Sequence, residues 1–265
     1  MRADGPWRDR RDVGFLTLVF VLSIPLWILG GVYPRELLPG VPLSAVMVVC
    51  PAAAALTLAW RDHGRAGAVR LARSVLDLSR VKGAAWYAPT LLMMPLIATA
   101  AYGLMVVLGR DMPRPEVPWS AIPGMSVMIL VAAVAEEIGW SGYATPRIQE
   151  RMTALQTGLL LGVATALWHL VPLLEVGRTP EWAAWQAANL VAARVLLVWL
   201  YNNTGGSVAA TAVCHATVNL SWQLFPTRGS HYDPRIVGLI TALVAVLAFA
   251  MWSPETVKAR RGTPG

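Results

Sequence analysis

Runs of about twenty apolar residues recur along this chain with almost no charge inside them, and that pattern confines the chain to lipid. A helix needs roughly 20 such residues to cross the hydrocarbon core. Eight windows qualify: residues 13–32, 41–60, 84–108, 122–143, 155–174, 182–201, 206–224 and 236–252. Composition agrees, with 56% hydrophobic and 14% charged residues against about 25% charged in a soluble domain. The 265 residues show no internal repeat and no low-complexity linker. Residues 1–265 therefore read as one integral membrane domain, an all-α, polytopic transmembrane helix bundle of about eight spans. The first run is too long for a signal peptide and no small-x-small site follows it, so it reads as a retained span. Cys50 and Cys214 both lie in apolar runs and offer neither a disulfide framework nor Cys-rich metal spacing.

The formal net charge of +7 is explained by where the basic residues fall. One side of the membrane collects Arg2, Arg8, Arg10, Arg11, Arg61, Arg65, Arg70, Arg73, Arg80, Lys82, Arg147, Arg151, Lys258, Arg260 and Arg261. The other collects Arg35, Arg110, Arg114, Arg178, Arg228 and Arg235. This imbalance of about 15 to 6 predicts a multi-pass cell-membrane protein with both termini cytoplasmic. It also accounts for the charge with the lipid bilayer as partner and without nucleic acid. Residues 65–82 place Arg70, Arg73, Asp77 and Arg80 on one helical face, which predicts an amphipathic helix on the anionic inner leaflet. Trp60, Trp86, Trp119, Trp182, Trp199 and Trp252 fall near predicted span ends, where an aromatic belt would place them.

Ionisable groups at membrane depth cost about 2.5–3.5 kcal/mol each and need partners or a purpose. They concentrate in spans four to seven. Span four carries Glu136 and Glu137, about 100° apart on a helix, so both can face the bundle interior in different directions. Two carboxylates in a dry cavity do not both ionise easily, which suits one as a base and the other as a paired or protonated group. Span five carries His169, with Pro172 close behind and able to free a backbone carbonyl near it. Span six carries Arg194, the only mid-span cation, about nine residues or about 13 Å deep by helical rise. Span seven carries His215 and Asn219 at i, i+4, on one face. Singly, each has a structural explanation as interhelical glue or as an ion-pair partner. Together they suggest a site. No H-E-x-x-H, P-loop, G-x-S-x-G or dinucleotide fingerprint occurs. Thr204-Gly205-Gly206-Ser207 reads as a short connecting turn, and His63 and His231 as solvated loop residues.

These residues resemble the CPBP intramembrane proteases, the CAAX prenyl protease and bacteriocin-processing type also called Abi. The likeness lies in Glu136-Glu137-Ile-Gly-Trp-Ser-Gly-Tyr-Ala-Thr-Pro-Arg147-Ile-Gln149, in Leu-Trp168-His169-Leu-Val-Pro172, and in the stretch from Arg194 to Asn219. It marks residues 122–222 as the catalytic core. Two positions depart from the family pattern. Ser141 stands where an arginine usually follows the glutamates, and Thr165 where a phenylalanine usually precedes the histidine. The first departure leads to the expectation that Arg194 pairs with Glu137, and the second to altered packing behind His169.

The resemblance implies hydrolysis of a peptide bond. Glu136 would be the general base, His169 would position or deprotonate the water, and His215 and Asn219 would support the oxyanion. Glu137 would hold the site together. One mechanism for the family uses a divalent metal such as zinc, which Glu136, His169 and His215 would hold; the other is a metal-free glutamate mechanism, and both stay open. The expected substrate is a membrane-associated or lipidated peptide or protein, reached from the cytoplasmic side. A proton-coupled transporter and a catalytically silent scaffold or immunity protein are the alternatives, since buried acids and histidines also make proton relays.

Overall fold

The computed structural model describes residues 11–38, 41–115, 119–226 and 228–251. Arg2, Arg8, Arg10, Lys258, Arg260, Arg261 and Trp252, which enter the expectations above, lie outside them. The chain is a multi-pass helical bundle. Its helices are α1 (Arg11–Val32), α2 (Cys50–Arg73), α3 (Tyr87–Val107), α4 (Ile122–Glu137), the short α5 (Thr145–Ile148), α6 (Ala154–Glu175), α7 (Pro180–Asn203), α8 (Val208–Leu224) and α9 (Pro234–Met251). Seven helices among the described residues are long and apolar enough to cross a membrane. The remaining expected span is α8, which has 17 residues and sits at the short end of the crossing range. Large apolar side chains such as Leu96, Val107, Val131 and Val246 point outward and are more than half exposed. A water-soluble surface does not carry such a belt, and lipid accounts for it.

Small residues decide how closely the central helices approach. In Gly158-Leu-Leu-Leu-Gly162, a Cβ on Gly158 would stand 2.9 Å from the Val195 Cα, and one on Gly162 would stand 2.9 Å from the Val191 Cα. Backbone contact of this kind is the chief source of helix association in lipid, where apolar burial gives little. It brings α6 against α7, the helices that carry His169 and Arg194. We expect Gly162→Val to lower the thermal midpoint in detergent, by about 1–3 kcal/mol of overpacking. An unchanged melt would show that the close approach is dispensable.

Two elements differ from expectation. The helix over residues 65–82 is shorter, because α2 kinks at Gly64 (φ 62°) and ends at Arg73. Short 3₁₀ turns follow at Ser74–Leu76 and Leu78–Arg80, with Asp77 non-helical between them. Polar side chains compete with helical hydrogen bonds here: Ser74 Oγ donates to Leu71 O, and Ser79 and Arg80 donate to the Asp77 carboxylate. The Ser79 hydroxyl, followed by the Arg80 guanidinium, holds the Asp77 carboxyl below its ordinary range. Ser207 Oγ donates to Asp77 O at 3.3 Å, which fixes this segment on the α7–α8 turn. Gly205 (φ 69°) lets that turn approach, since a Cβ there would stand 2.7 Å from the Arg80 carbonyl oxygen.

The second difference is a two-stranded antiparallel pairing of β1 (Glu36–Leu38) with β2 (Val41–Pro42) in the α1–α2 connection, ahead of a 3₁₀ turn at Leu43–Val49. Within the belt of tryptophans, Trp60 and Trp119 are exposed. Trp199 is instead buried, packing edge-on to Trp86 with centroids 5.5 Å apart.

Candidate active site

Helix α4 delivers both glutamates at its last turn, and a π-helical turn, Ile138–Ala144, follows directly. Such wide turns occur mostly at functional sites. Gly139 lets this one lie on α2, since a Cβ there would stand 2.6 Å from the Pro51 carbonyl oxygen. The step of about 100° between consecutive helical residues sends the two carboxylates to different surroundings.

Glu137 is fully buried and saturated with donors. Arg194 Nη1 donates to its Oε1 at 2.8 Å and its Oε2 at 3.0 Å. His215 Nδ1 meets Oε1 at 2.8 Å, and Ser141 Oγ donates to Oε2. Ser141 thus stands one helical turn beyond Glu137 and supplies a hydroxyl, while the cationic partner comes from α7. Glu136 faces the other way. It is buried, yet among the described residues its Oε2 has no hydrogen-bond partner, a rare state for a buried polar atom.

Glu136 belongs to the wall of a cavity of about 390 Å³, which Thr165, His169, Arg194, His215 and Asn219 also line. Glu137 lies behind the wall. His169 Nδ1 contacts the Thr165 carbonyl oxygen at 2.8 Å. A carbonyl only accepts, so Nδ1 carries the proton and Nε2 of the neutral ring offers a lone pair. By the same reasoning the His215 Nδ1 proton points to Glu137, and a charged imidazolium would present its second N–H from Nε2. Asn219 is half-buried on the face of α8 that carries His215.

The structure thus brings Glu136, His169, Arg194, His215 and Asn219 to one cavity, with Glu137 binding two of them from behind. Thr165 is buried with its hydroxyl on Leu161 O. His63 is exposed and the half-buried His231 contacts Ser230, both away from this cavity. Helix α6 runs unbroken through Pro172, which does not open it.

Sequence reasoning missed two contributors. Trp168 is fully buried, sends its indole N–H to Ser23 Oγ at 2.8 Å and packs edge-on to His169 at 4.8 Å. Its adjacency to His169 was the available signal. Leu37, Val41 and Pro42 also reach the cavity wall, through a tertiary contact with no local signature.

These last residues show how far the cavity wall reaches. They belong to the α1–α2 connection, at the bundle end opposite the basic segment around Arg70–Arg80. Tyr232, also on the wall, lies in the α8–α9 connection at that same far end. The cavity wall therefore reaches the end of the bundle away from the basic segment.

A metal held by Glu136, His169 and His215 was one reading of the resemblance. Among the described residues no group of three His, Cys, Asp or Glu side chains is gathered to hold an ion. The engaged Nδ1 atoms leave Nε2 of both histidines free, but the three side chains are not gathered around one point, and the mechanism uses no metal.

Comparison with known proteins bears on this segment. Residues 118–221 match the family model described as type II CAAX prenyl endopeptidase Rce1-like. Over this segment the chain is similar to the CAAX-protease type. All six polar residues of the site fall inside the matched segment. A stretch of 106 residues is 26% identical to CAAX prenyl protease 2 of Methanococcus maripaludis, covering 37% of this chain and 39% of that relative. The matched region thus spans about two fifths of the length of that CAAX protease.

Proposed function

We propose that this chain is an intramembrane endopeptidase acting on a membrane-associated or lipidated peptide. The observation that carries this reading is Glu136, buried with one carboxylate oxygen unpartnered among the described residues, on the wall of one cavity with His169, His215 and Asn219. A carboxylate held out of water without a partner is poised to accept a proton from a bound water. Glu136 takes that proton, and the Nε2 lone pair of His169 orients the water. The resulting hydroxide adds to the scissile carbonyl carbon. His215 and Asn219, one helical turn apart, donate hydrogen bonds to the oxyanion as charge develops on it. The proton on Glu136 then passes to the leaving amine as the C–N bond breaks. Arg194 and Glu137 take no part in proton transfer; they hold His215 and the wall in place.

The cavity wall is mostly apolar, with residues such as Leu190, Leu197 and Val218, which suits a hydrophobic or lipid-bearing chain. The family match and the relative's printed name support the same substrate class.

The test uses purified protein in proteoliposomes and a fluorogenic farnesylated peptide. Hydrolysis by wild type that falls about 10²–10⁴-fold in His169→Ala is the expected result. Asn219→Ala, which removes one oxyanion donor, is expected to lower the rate about 10²–10³-fold with little change in KM. A probe left intact by wild type, with proton flux that depends on Glu136, would transfer the site to a transporter.

A further inference from the structure

A second and larger cavity, of about 1070 Å³, lies at the opposite end of the bundle from the hairpin, and the mechanism above makes no use of it. Arg70, Arg73, Arg80, Arg147 and His63 line it, and among the described residues Asp77 is the one carboxylate on its wall. Asp77 is already paired with Arg80. The Arg147 guanidinium lies 3.7 Å from the Tyr143 ring centroid and donates to Tyr143 O at 2.8 Å. Arg70 and Arg73 are exposed, and among the described residues no side chain pairs with them. Behind these cations the wall is apolar, formed by Val69, Leu71, Leu76 and Val208.

A cationic rim over an apolar wall at the membrane boundary matches a ligand that joins a phosphate to hydrocarbon. The geometry points to an anionic phospholipid seated in this cavity, its phosphate between Arg70 and Arg73 and its acyl chains along Leu71 and Leu76. A free phosphate would use the arginines and leave the apolar wall idle. The kink at Gly64 (φ 62°) separates Arg70 and Arg73 from the axis of the span, which lets them reach headgroup level. The wall also contains Gly142 and Tyr143, which belong to the π turn directly after Glu137. An occupied cavity would therefore brace the turn that ends the helix carrying both glutamates.

The test is native mass spectrometry of the purified full-length protein in neutral detergent, with phosphatidylglycerol or phosphatidylcholine of the same chain length. Wild type should retain phosphatidylglycerol in preference, and Arg70→Gln/Arg73→Gln should retain about tenfold less. Arg61→Gln/Arg65→Gln removes the same charge outside the cavity and should retain the wild-type amount. An equal loss in both double variants would mean diffuse surface attraction and overturn the assignment. Displacement of the lipid by millimolar inorganic phosphate would also overturn it, in favour of a free-phosphate site. Arg70→Lys/Arg73→Lys guards against a folding artefact: it keeps the charge and should still bind. A loss there as large as in the glutamine pair would show that charge is not what is recognised.

Discussion

Arg194→Ala should destabilise the protein by about 3–5 kcal/mol, the usual cost of stranding one member of a buried ion pair. Both partners are almost fully buried, with side-chain exposures of 3% and 0%. Removing the guanidinium leaves Glu137 with His215 and Ser141 as donors and no fixed cation. Among the described residues the Arg194 Nε is itself buried without a hydrogen-bond partner, a cost that its carboxylate, with the Trp140 ring 5.8 Å away, offsets. Arg194→Lys keeps the charge, but an ammonium has a different shape and reach from a planar guanidinium. It should fall between wild type and Arg194→Ala. Replacing both partners together, Glu137→Met with Arg194→Met, should restore much of the stability while leaving no activity. Thermal unfolding in detergent reads all three. A folded, active Arg194→Ala protein would show that the pair does not hold the site.

Glu136→Gln should have the opposite profile, with intact folding and hydrolysis reduced about 10²–10⁴-fold. The substitution keeps the shape of the side chain and removes its capacity to accept a proton. It also replaces a buried acid that has an unpartnered oxygen with a neutral amide, so the thermal midpoint should hold or rise. A structural glutamate would behave the other way round, losing stability while activity followed only the folded fraction. The contrast between Glu136 and Glu137 is the sharpest internal check on the assignment of roles. Two neighbouring carboxylates of the same chemical type should fail for different reasons.

Much of this arrangement could be read from residue spacing, because the membrane leaves a chain few options. Apolar run length gave the spans, and the cost of ionisable groups in lipid singled out Glu136, Glu137, His169, Arg194 and His215 before any contact was known. The Arg194–Glu137 contact could be anticipated because a lone buried cation needs an anion at similar depth. What escaped was tertiary. Nothing near Leu37 or Val41 in sequence announces that they reach a cavity lined by Glu136. The segment after Arg73 has helical periodicity, but Ser74, Asp77 and Ser79 offer competing hydrogen bonds and the Ser207 contact stabilises the broken form. Trp199 sits at the end of a span like a belt residue, yet Trp86 and its neighbours enclose it. Gly158 and Gly162 have small-xxx-small spacing that the sequence reading passed over, and the facing Val191 and Val195 show what it is for.

The most direct test of the central claim is a comparison of peptide termini in cell membranes that contain wild-type protein or Glu136→Gln at matched expression. The account predicts at least one new terminus, from a membrane-associated protein, present with wild type and absent with Glu136→Gln. Identical terminus profiles from two well-folded proteins would contradict it.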